Sequence, residues 1–179
     1  MRKLKFHSYS FDRDSLVAQR EACVKWYRTM LDLIPREPSV KILDLGCGHG
    51  HILSYLREKG RDAYGLDINA DSLKHRNLKG YFVCGDAHNL PLRDNSLDVV
   101  LAFELVEHLK EPRRALEEIR RILKRRGILL LTSPTPKSKS VNQPNHISIR
   151  RREDWVPLLR GLGFKVKIVT YKYPIQLGV

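Results

Sequence analysis

The chain has 179 residues, of which 42% are apolar and 30% charged, and 33 basic against 20 acidic side chains give a formal net charge of +13. This length predicts a single domain, and the composition excludes a disordered or a fibrous protein. The positive charge favours an anionic partner, namely nucleic acid, a phosphorylated metabolite or a lipid surface, although a charge-rich surface alone would also explain it.

The cysteines and the hydropathy pattern indicate the cellular compartment of the protein. Cys23, Cys47 and Cys84 show no paired spacing, which is typical of reduced thiols in the cytoplasm and not of a disulfide or zinc framework. No apolar run approaches the roughly 18 residues that span a bilayer, and the basic N-terminus lacks the apolar segment of a secretory signal. We therefore expect a cytoplasmic protein without a membrane segment.

Short apolar segments alternate with amphipathic ones along the chain. After a basic, irregular start, the apolar spacing predicts helices over 15–33, 51–59, 69–78, 112–126 and 152–162. Strands are predicted over 40–45, 63–67, 81–84, 97–103, 128–132 and 164–170. This alternation predicts a mostly parallel sheet between layers of helices. The wholly apolar segment 128–131 is typical of a strand buried on both faces in the middle of such a sheet.

The most informative motif is the segment Asp44-Leu-Gly-Cys-Gly-His-Gly50, which lies between a predicted strand and a predicted helix. Glycines at every second position let the backbone turn tightly and let a ligand approach the main chain. The segment is not the dinucleotide motif, because His51 stands where that motif needs glycine, and it has no Walker lysine. It therefore predicts a ligand-binding loop of another kind.

Four further motifs follow this loop, each at or beside a predicted strand. They are Gly65-Leu-Asp67, Cys84-Gly-Asp-Ala87, Phe103-Glu-Leu-Val-Glu-His-Leu109 and Gly127-Ile-Leu-Leu-Leu-Thr-Ser-Pro134. In this order and spacing the chain resembles the class I S-adenosylmethionine-dependent methyltransferases with a type 11-like domain, over about residues 38 to 170. The resemblance implies a three-layer, Rossmann-like α/β fold with a mostly parallel sheet, and S-adenosylmethionine as cofactor.

The resemblance also implies roles for individual residues at the carboxyl ends of the strands. Asp67 would accept hydrogen bonds from both ribose hydroxyls. Asp86 would receive the adenine amino group, and the backbone N–H of Ala87 would meet the ring. Asp44 would order the loop or meet the methionine ammonium group, while the loop glycines would pass beneath the methionine part. The predicted cofactor set is Asp44, Gly46, Cys47, Gly48, Gly50, Asp67, Ile68, Asp86, Ala87 and Phe103.

Some of these residues also have a purely structural interpretation. A carboxylate that ends a strand, such as Asp67 or Asp86, is often only a cap for the next helix. We favour the cofactor role for both because the glycine loop precedes them. We interpret Cys47 as a small filler and not as a nucleophile, since no base with a fixed relation to it is visible in the sequence.

A cluster of ionisable residues follows the fourth predicted strand. Glu104, Glu107 and His108 stand at positions i, i+3 and i+4, so a helical turn would place them on one face. Methyl transfer to a hydroxyl acceptor needs a base, and His108 has a suitable intrinsic pKa, with a carboxylate to orient it. His146 follows the fifth strand and would join this group. We therefore predict Glu104, Glu107, His108 and His146 as the catalytic residues.

A divalent metal is a second interpretation of the same four residues. Two carboxylates and two imidazoles form a plausible metal site, and the arrangement resembles the small-RNA 2′-O-methyltransferases and some quinone-biosynthesis O-methyltransferases. A third interpretation is purely structural, because this motif is widespread in the superfamily, where it often packs and hydrogen-bonds locally without a metal. Of the three interpretations, metal binding is the one that we favour least. The chain also has no recognisable RNA-binding appendage.

Basic residues on the active side of the predicted sheet suggest the acceptor. Residues in and after the loop that leaves the fifth strand would give the pocket a basic rim, namely Lys137, Lys139, Arg150, Arg151 and Arg152. An anionic acceptor follows from this rim. The basic end of helix 112–126 would instead lie far from the cofactor and serve the helix dipole.

The two ends of the chain differ from the middle. Residues 1–37 are predicted to be a basic segment and a lid-like helix, in which Trp26 and Tyr27 either close the pocket or simply pack. Residues 38–179 are predicted to be the methyltransferase domain, in one compact unit. Only 171–179 follows the sixth strand, and Pro174 disfavours a central strand there. The C-terminal edge strand is therefore expected to be missing or degenerate, and the exposed neighbour would invite dimerisation.

The sequence thus predicts an S-adenosylmethionine-dependent methyltransferase, acting on an oxygen or nitrogen of an anionic acceptor. A small metabolite, RNA and protein all remain open as acceptors, and the protein is expected to be a monomer or a homodimer. The alternative is a catalytically silent cofactor-binding scaffold or a subunit that needs a partner for activity.

Overall fold

The computed structural model describes residues 13–73, 80–137 and 143–169, which form a parallel five-stranded sheet with helices on both faces. The strands are β1 (Lys41–Leu45), β2 (Asp62–Asp67), β3 (Phe82–Cys84), β4 (Leu97–Phe103) and β5 (Leu123–Thr132). The helices are α1 (Arg13–Leu31), α2 (His51–Glu58), α3 (Pro112–Ile122) and α4 (Arg152–Gly161). Two short 3₁₀ turns cover Ala70–Leu73 and Val106–His108.

The strand order is β3-β2-β1-β4-β5, and every described pair is parallel. The chain therefore reverses its direction of travel across the sheet between β1 and β4. In open α/β sheets a ligand binds outside the carboxyl ends of the strands at this switch point. The glycine loop follows β1, and the Glu104–His108 turn follows β4, so both lie at that edge.

Two hydrophobic layers hold the helices to the sheet. Alternate residues of a strand point to opposite faces: along β4, Val100 packs with α3 and α4, whereas Val99 and Leu101 pack with α1 and α2. All three side chains have no exposed area. The predicted three-layer α/β fold is confirmed, with the two central strands as its core.

The third helix is shorter than predicted. The sequence predicts a helix to Arg126 that Gly127 ends, but α3 ends at Ile122 and Leu123 is already extended. Leu123 pairs with Leu97 of β4, and Lys124 Nζ lies 2.8 Å from Asp98 Oδ1. Residues 124–126 therefore lie in β5, and the prediction that they serve a helix dipole is wrong.

The position of β5 also differs from the prediction. The apolar segment 128–131 was expected in the middle of the sheet, but among the described residues β5 is an edge strand that pairs only with β4. The predicted sixth strand is likewise not formed over 164–169, where Phe164 and Val166 pack against the core without strand pairing. Thr170 and residues 171–179 lie outside the described residues.

The remaining boundaries follow the prediction closely. The fourth strand has the predicted bounds, and the first three strands and the first, second and last helices differ from it by one or two residues at an end. The predicted helix over 69–78 begins as the 3₁₀ turn Ala70–Leu73, and residues 74–79 lie outside the described residues. No described helix combines the length and the low polarity that crossing a bilayer requires.

Candidate active site

The glycine loop is fixed to the end of β2 by its own backbone. The N–H groups of Gly46 and Cys47 both donate to the carbonyl oxygen of Leu66, at 2.8 and 3.2 Å. Gly46 and Gly48 have φ angles of 72° and 47°, in the left-handed region that favours glycine. A Cβ at Gly48 would meet no atom within 4 Å, whereas one at Gly46 would lie 2.8 Å from Leu105 Cδ1. Gly46 is thus packed and Gly48 open, while the third loop glycine, Gly50, has a φ of 67° and directly precedes α2.

Asp67 orders the turn around it. Its Oδ2 accepts from the N–H of Gly48 at 2.8 Å, and its Oδ1 accepts from the N–H of Asn69 at 2.9 Å. Neither donor belongs to the following 3₁₀ turn, whose residue Asp71 donates its N–H to Asn69 Oδ1 at 3.0 Å; Asp67 therefore joins two loops and does not cap a helix. A carboxylate has about four acceptor sites, so two such bonds leave capacity for a diol. The geometry is compatible with both this structural role and ribose binding.

Asp86 forms hydrogen bonds within its own turn. Its Oδ1 accepts from the N–H of His88 at 2.9 Å and lies 2.7 Å from His88 Nδ1. These hydrogen bonds hold the pKa of Asp86 below its usual range. The neighbouring Ala87 is buried, while Ile68 beyond β2 is 73% exposed. An apolar side chain this exposed at the carboxyl edge leaves a surface that a flat ligand can cover.

Asp44 near the end of β1 is buried, and Cys47 within the loop is half-buried. Burial raises the pKa of Asp44 to about 7, partly offset by the N–H of Leu53 in α2, and the charge of Asp67 raises it further. Burial, and then the charges of Asp44 and Asp67, also raise the pKa of the Cys47 thiol. A thiol held protonated is a poor nucleophile, which supports the interpretation of Cys47 as a filler.

Helix α1 covers the end of β4. The ring of Tyr27 stacks on Phe103, with centroids 4.5 Å apart and planes 14° from parallel. Phe103 is consequently 9% exposed. Tyr27, one of the two aromatic residues predicted to pack or to close the pocket, thus contacts the predicted cofactor residue Phe103.

The turn after β4 begins with an unusual backbone conformation. Glu104 has a φ of 48°, and its N–H donates to the carbonyl oxygen and to Oγ1 of Thr132 at the end of β5, at 3.2 and 3.1 Å. The next residues form the 3₁₀ turn, in which Glu107 is fully buried. Burial raises the pKa of Glu107 to about 7, and the charge of Glu104 adds to this rise. Burial also raises the pKa of Glu104 itself.

A later loop brings His146 to this turn. The N–H groups of Ile147 and Ser148 donate to the carbonyl oxygen of Glu107 at 2.8 and 2.9 Å. The rings of His108 and His146 meet edge to face, with centroids 4.8 Å apart. One ligand atom from each of Glu107, His108 and His146 lies within 4.8 Å of the others. The structure thus assembles three of the four predicted residues.

Glu104 is the predicted residue outside that group. The sequence predicts that Glu104, Glu107 and His108 share one helical face, but Glu104 precedes the 3₁₀ turn and its positive φ breaks the helical register. It still lies near enough to Glu107 for its charge to affect the pKa of Glu107. The predicted helical spacing therefore does not extend to Glu104, although its carboxyl group lies beside Glu107 and close enough to His108 for the two charges to interact.

The tautomer of His108 follows from its hydrogen bond. Nδ1 lies 3.0 Å from the carbonyl oxygen of Asn145. Since a carbonyl oxygen only accepts, Nδ1 carries the hydrogen, and Nε2 of the neutral ring keeps its lone pair. His108 therefore presents an acceptor nitrogen that can take a proton or bind a metal.

The predicted basic rim is present in part. Arg151 caps α4, and Arg150 lies over the ring of Trp155 at 5.4 Å. Arg152 pairs with Glu153 at 3.7 Å, and Lys137 is exposed. Lys139 lies outside the described residues. The arginines begin four residues after His146, so this part of the rim adjoins the histidine pair in sequence.

Two residues of the site had not been predicted. Leu105 packs against Gly46 and so joins the turn after β4 to the glycine loop. Thr132 holds the first residue of that turn from the neighbouring strand. Both lie within motifs of the sequence, but neither suggested a role of its own, because an apolar residue between two glutamates and a threonine at the end of a strand both have ordinary explanations.

Comparisons with known proteins agree with this geometry. A family model described as a methyltransferase domain matches residues 43–131. The chain is 33% identical over 154 residues to a demethylmenaquinone methyltransferase of Thermotoga maritima, covering 83% of this chain and 66% of that one. It is 33% identical over 103 residues to a malonyl-[acyl-carrier protein] O-methyltransferase of Pectobacterium atrosepticum, covering 56% and 41%. The chain thus spans between two fifths and two thirds of the length of these curated relatives.

A solved structure gives the same result at the level of the fold. The structure of a SAM-dependent methyltransferase from Archaeoglobus fulgidus superposes with a TM-score of 0.72 at 27% identity, covering 86% of this chain and 75% of that one. The residues that the family model matches, 43–131, include the glycine loop and α2. From its sheet, its loop and these relatives, the chain belongs to the class I S-adenosylmethionine-dependent methyltransferases.

Proposed function

We propose that the protein transfers a methyl group from S-adenosylmethionine to an oxygen or nitrogen of an anionic acceptor. The observation that carries this proposal is the acceptor nitrogen of His108, held beside Glu107 and His146 at the same edge as the glycine loop. A binding loop alone would suit a cofactor carrier. A fixed proton acceptor next to that loop favours an enzyme.

The loop and the ends of β2 and β3 would hold the cofactor. Asp67 would bind the ribose, Asp86 and Ala87 the adenine, and Ile68 would cover the ring. The methionine part would lie over Gly48, where the structure leaves open space, with Asp44 near its ammonium group. When bound, S-adenosylmethionine supplies a methyl group on a positively charged sulfur. The protein has only to align an acceptor with it.

His108 would be the base in this reaction. Its Nε2 would take the proton of the acceptor hydroxyl or amine as the acceptor atom forms its new bond to carbon. Asn145 would hold the ring through Nδ1, and Glu107 and Glu104 would stabilise the positive charge that the ring gains. His146 would position the ring of His108 through their edge-to-face contact.

The charge beside the histidine pair supports an anionic acceptor. Arg150 and Arg151 follow directly on the loop that Glu107 holds through Ile147 and Ser148. A negative group on the acceptor would gain charge-assisted hydrogen bonds there. The curated relative that is named as an O-methyltransferase of malonyl-[acyl-carrier protein] supports an oxygen acceptor.

A second use of the same cluster is a divalent metal site. Neither carboxylate oxygen of Glu107 meets a hydrogen-bond donor in good geometry among the described residues. One carboxylate and two imidazoles match the preferences of zinc, manganese or iron(II). A bound ion would draw an acceptor oxygen to Glu107, His108 and His146, and it would lower the pKa of that oxygen.

Calorimetric titration tests the proposal first. S-adenosylmethionine and its demethylated product should both bind with micromolar affinity, and Mn²⁺ in a parallel titration distinguishes the metal-dependent form. Tritiated methyl transfer into metabolite, RNA and protein fractions then tests catalysis. Label in an anionic fraction supports the proposal. Tight binding with no transfer into any fraction would mean a silent cofactor-binding protein, and absence of binding would contradict both.

A further inference from the structure

The turn after β3 holds the carboxylate of Asp86 by only one of its two oxygens. Oδ1 accepts from the backbone N–H of His88 at 2.9 Å and lies 2.7 Å from Nδ1 of the same residue. Because a carboxylate oxygen only accepts, Nδ1 carries the hydrogen and donates it. No described residue donates a hydrogen bond to Oδ2, and the side chain of Asp86 is 51% exposed. Oδ2 is therefore available to a ligand.

The backbone of this turn is held in place as well. The N–H of Asn89 donates to the carbonyl oxygen of Asp86 at 3.0 Å and closes the turn. The next residue is anchored to α3, because the N–H of Leu90 donates to Glu118 Oε2 at 2.8 Å. The carbonyl oxygen of Leu90 accepts from Arg121 Nη2 at 3.0 Å. With the backbone fixed, the main freedom left to Asp86 is rotation of its side chain, which the hydrogen bond from Nδ1 restricts.

Packing alone does not explain the ring of His88. Its side chain is 18% exposed, and Nε2 is buried without a hydrogen-bond partner among the described residues. A buried polar atom without a partner lowers the free energy of unfolding, so an apolar side chain of similar size would pack better here. What the histidine adds is the N–H that it donates to Asp86.

The orientation of this carboxylate matters for the choice of base. In the proposed function Asp86 and Ala87 hold adenine, whose exocyclic amino group donates hydrogen bonds. Hypoxanthine has a carbonyl oxygen at the same position, which only accepts. A carboxylate oxygen that is fixed opposite this position therefore attracts adenine and repels hypoxanthine. A carboxylate that turns freely would instead reach the N1–H of hypoxanthine and discriminate less between the two bases.

We propose that His88 is a positioning residue that makes the cofactor site selective for adenine. It holds Oδ1 of Asp86, so that Oδ2 meets the amino group of the base. This role rests on the proposed function, in which Asp86 is the adenine ligand. His88 itself does not contact the cofactor, and its effect is on selectivity between bases.

Binding of two ligands to the full-length protein tests the proposal. The ligands are S-adenosyl-L-homocysteine and its deaminated analogue S-inosyl-L-homocysteine, which differ only at the exocyclic position of the base and the adjoining N1. By calorimetry the wild type should prefer adenine by about tenfold or more, as expected for one hydrogen bond to a charged group. His88→Leu should lower this preference about threefold or more. It should not lower the free energy of unfolding, because it also removes the buried, unpaired nitrogen.

A conservative variant and a matched control complete the test. In His88→Asn the side-chain amide can donate to Asp86 Oδ1 in place of Nδ1, so the preference should stay within about twofold of the wild type. Lys124→Met is the control, because it removes a donor that lies 2.8 Å from the carboxylate of Asp98, at the opposite edge of the sheet. It should leave the preference unchanged.

The variant Asp86→Ala separates failure of this proposal from failure of the proposed function. If Asp86→Ala loses the preference and His88→Leu keeps it in full, Asp86 is the adenine ligand and the positioning role of His88 is wrong. The same conclusion follows if His88→Leu weakens both ligands equally, since His88 would then be only structural. If the wild type has no preference, or Asp86→Ala retains it, the adenine role of Asp86 fails and the proposal fails with it.

Discussion

The two turns at the carboxyl edge of the sheet follow neighbouring strands yet offer a ligand different things. The glycine loop after β1 offers mainly backbone and open space, and its N–H groups are fixed to β2 and to Asp67. The turn after β4 offers side chains, with a buried glutamate and a histidine of defined tautomer. In the proposed function, the first turn receives the cofactor and the second holds or moves a proton.

This difference implies that binding and chemistry can be separated by substitution. Leu105 lies against Gly46 and so links the two turns. Changes in the loop should alter cofactor affinity, and changes in the turn should alter turnover. The predictions below test this division, from the largest effect to the smallest.

Replacing His108 should have the largest effect on turnover. We expect His108→Ala to lower the methyl-transfer rate by about 100-fold or more, the usual contribution of a general base, with unchanged affinity for S-adenosylmethionine. His108→Gln is the matched control for packing, because its amide can still donate to Asn145 but cannot take the proton. Rates and calorimetric affinities should therefore agree for the two variants. If His108→Ala lost methyl-transfer rate and cofactor affinity together, His108 would have a structural role, and binding and chemistry would not be separable.

Ionisation of Asp44 should make the stability of the protein depend on pH. The pKa of Asp44 is about 7 in the folded protein, compared with 3.8 for an aspartate in an unfolded chain. The folded state therefore binds this proton more tightly. The contribution of Asp44 to the free energy of unfolding is therefore greatest below about pH 4 and is lost as the pH rises to about 7. The fall amounts to at most about 4 kcal/mol. Denaturant unfolding at several pH values measures it.

The variant Asp44→Asn isolates that effect. It should remove the part of the pH dependence that belongs to Asp44 and leave the part that belongs to other carboxylates. If the difference between the two proteins does not change between pH 4 and pH 8, Asp44 is not protonated in the fold. The same proton should be released when a cationic ligand binds above it, which titrations in buffers of different ionisation enthalpy would detect.

Removing Asp67 should mainly weaken cofactor binding. In the proposed role, Asp67→Ala would delete two charge-assisted contacts to the ribose, each contributing about 1.5 to 3 kcal/mol, and it would free the N–H of Gly48. We expect a loss of affinity for S-adenosylmethionine of about 100-fold or more by calorimetry. Asp32→Ala is the control, because its exposed pair with Arg28 lies on α1 and contributes little. Unchanged affinity in Asp67→Ala would leave Asp67 with its structural role alone.

The parts of the structure that depend on residues close together in the sequence could be predicted from it. The strand, loop and helix around Gly46 follow from local apolar spacing and glycine, and the bounds of β4 match the prediction. His146 was expected beside the turn after β4 because parallel strands end at one edge, and Ile147 and Ser148 hold it there.

The errors share a different cause, which is pairing between distant residues. Lys124, Arg125 and Arg126 favour a helix by their own propensity, but Leu123 pairs with Leu97 and Lys124 with Asp98. Nothing local to 124–126 shows that pairing. Similarly, the spacing of Glu104 from His108 suits a helix, while the bonds of Glu104 to Thr132 fix a conformation that ends the helical register.

Gly46 and Gly48 provide the most sensitive test of whether binding and chemistry are separable, because the two residues differ in what surrounds them. Both have positive φ, so alanine at either position should cost about 1 to 2 kcal/mol of folding free energy. Gly46→Ala adds a contact of 2.8 Å with Leu105, and such overpacking should cost about a further 1 to 3 kcal/mol. Denaturant unfolding without cofactor measures the difference.

Cofactor affinity should show the opposite order: Gly48→Ala should lose more affinity for S-adenosylmethionine than Gly46→Ala. In Gly48→Ala the new methyl group would point into the open space where we propose that the methionine part lies, so binding should fall more than stability. In Gly46→Ala the strain lies toward the turn after β4, and Leu105→Ala should recover part of the lost stability in a double-mutant cycle. If both variants lost stability and affinity in the same proportion, the loop and the turn would act as one unit, and binding could not be separated from chemistry at this edge.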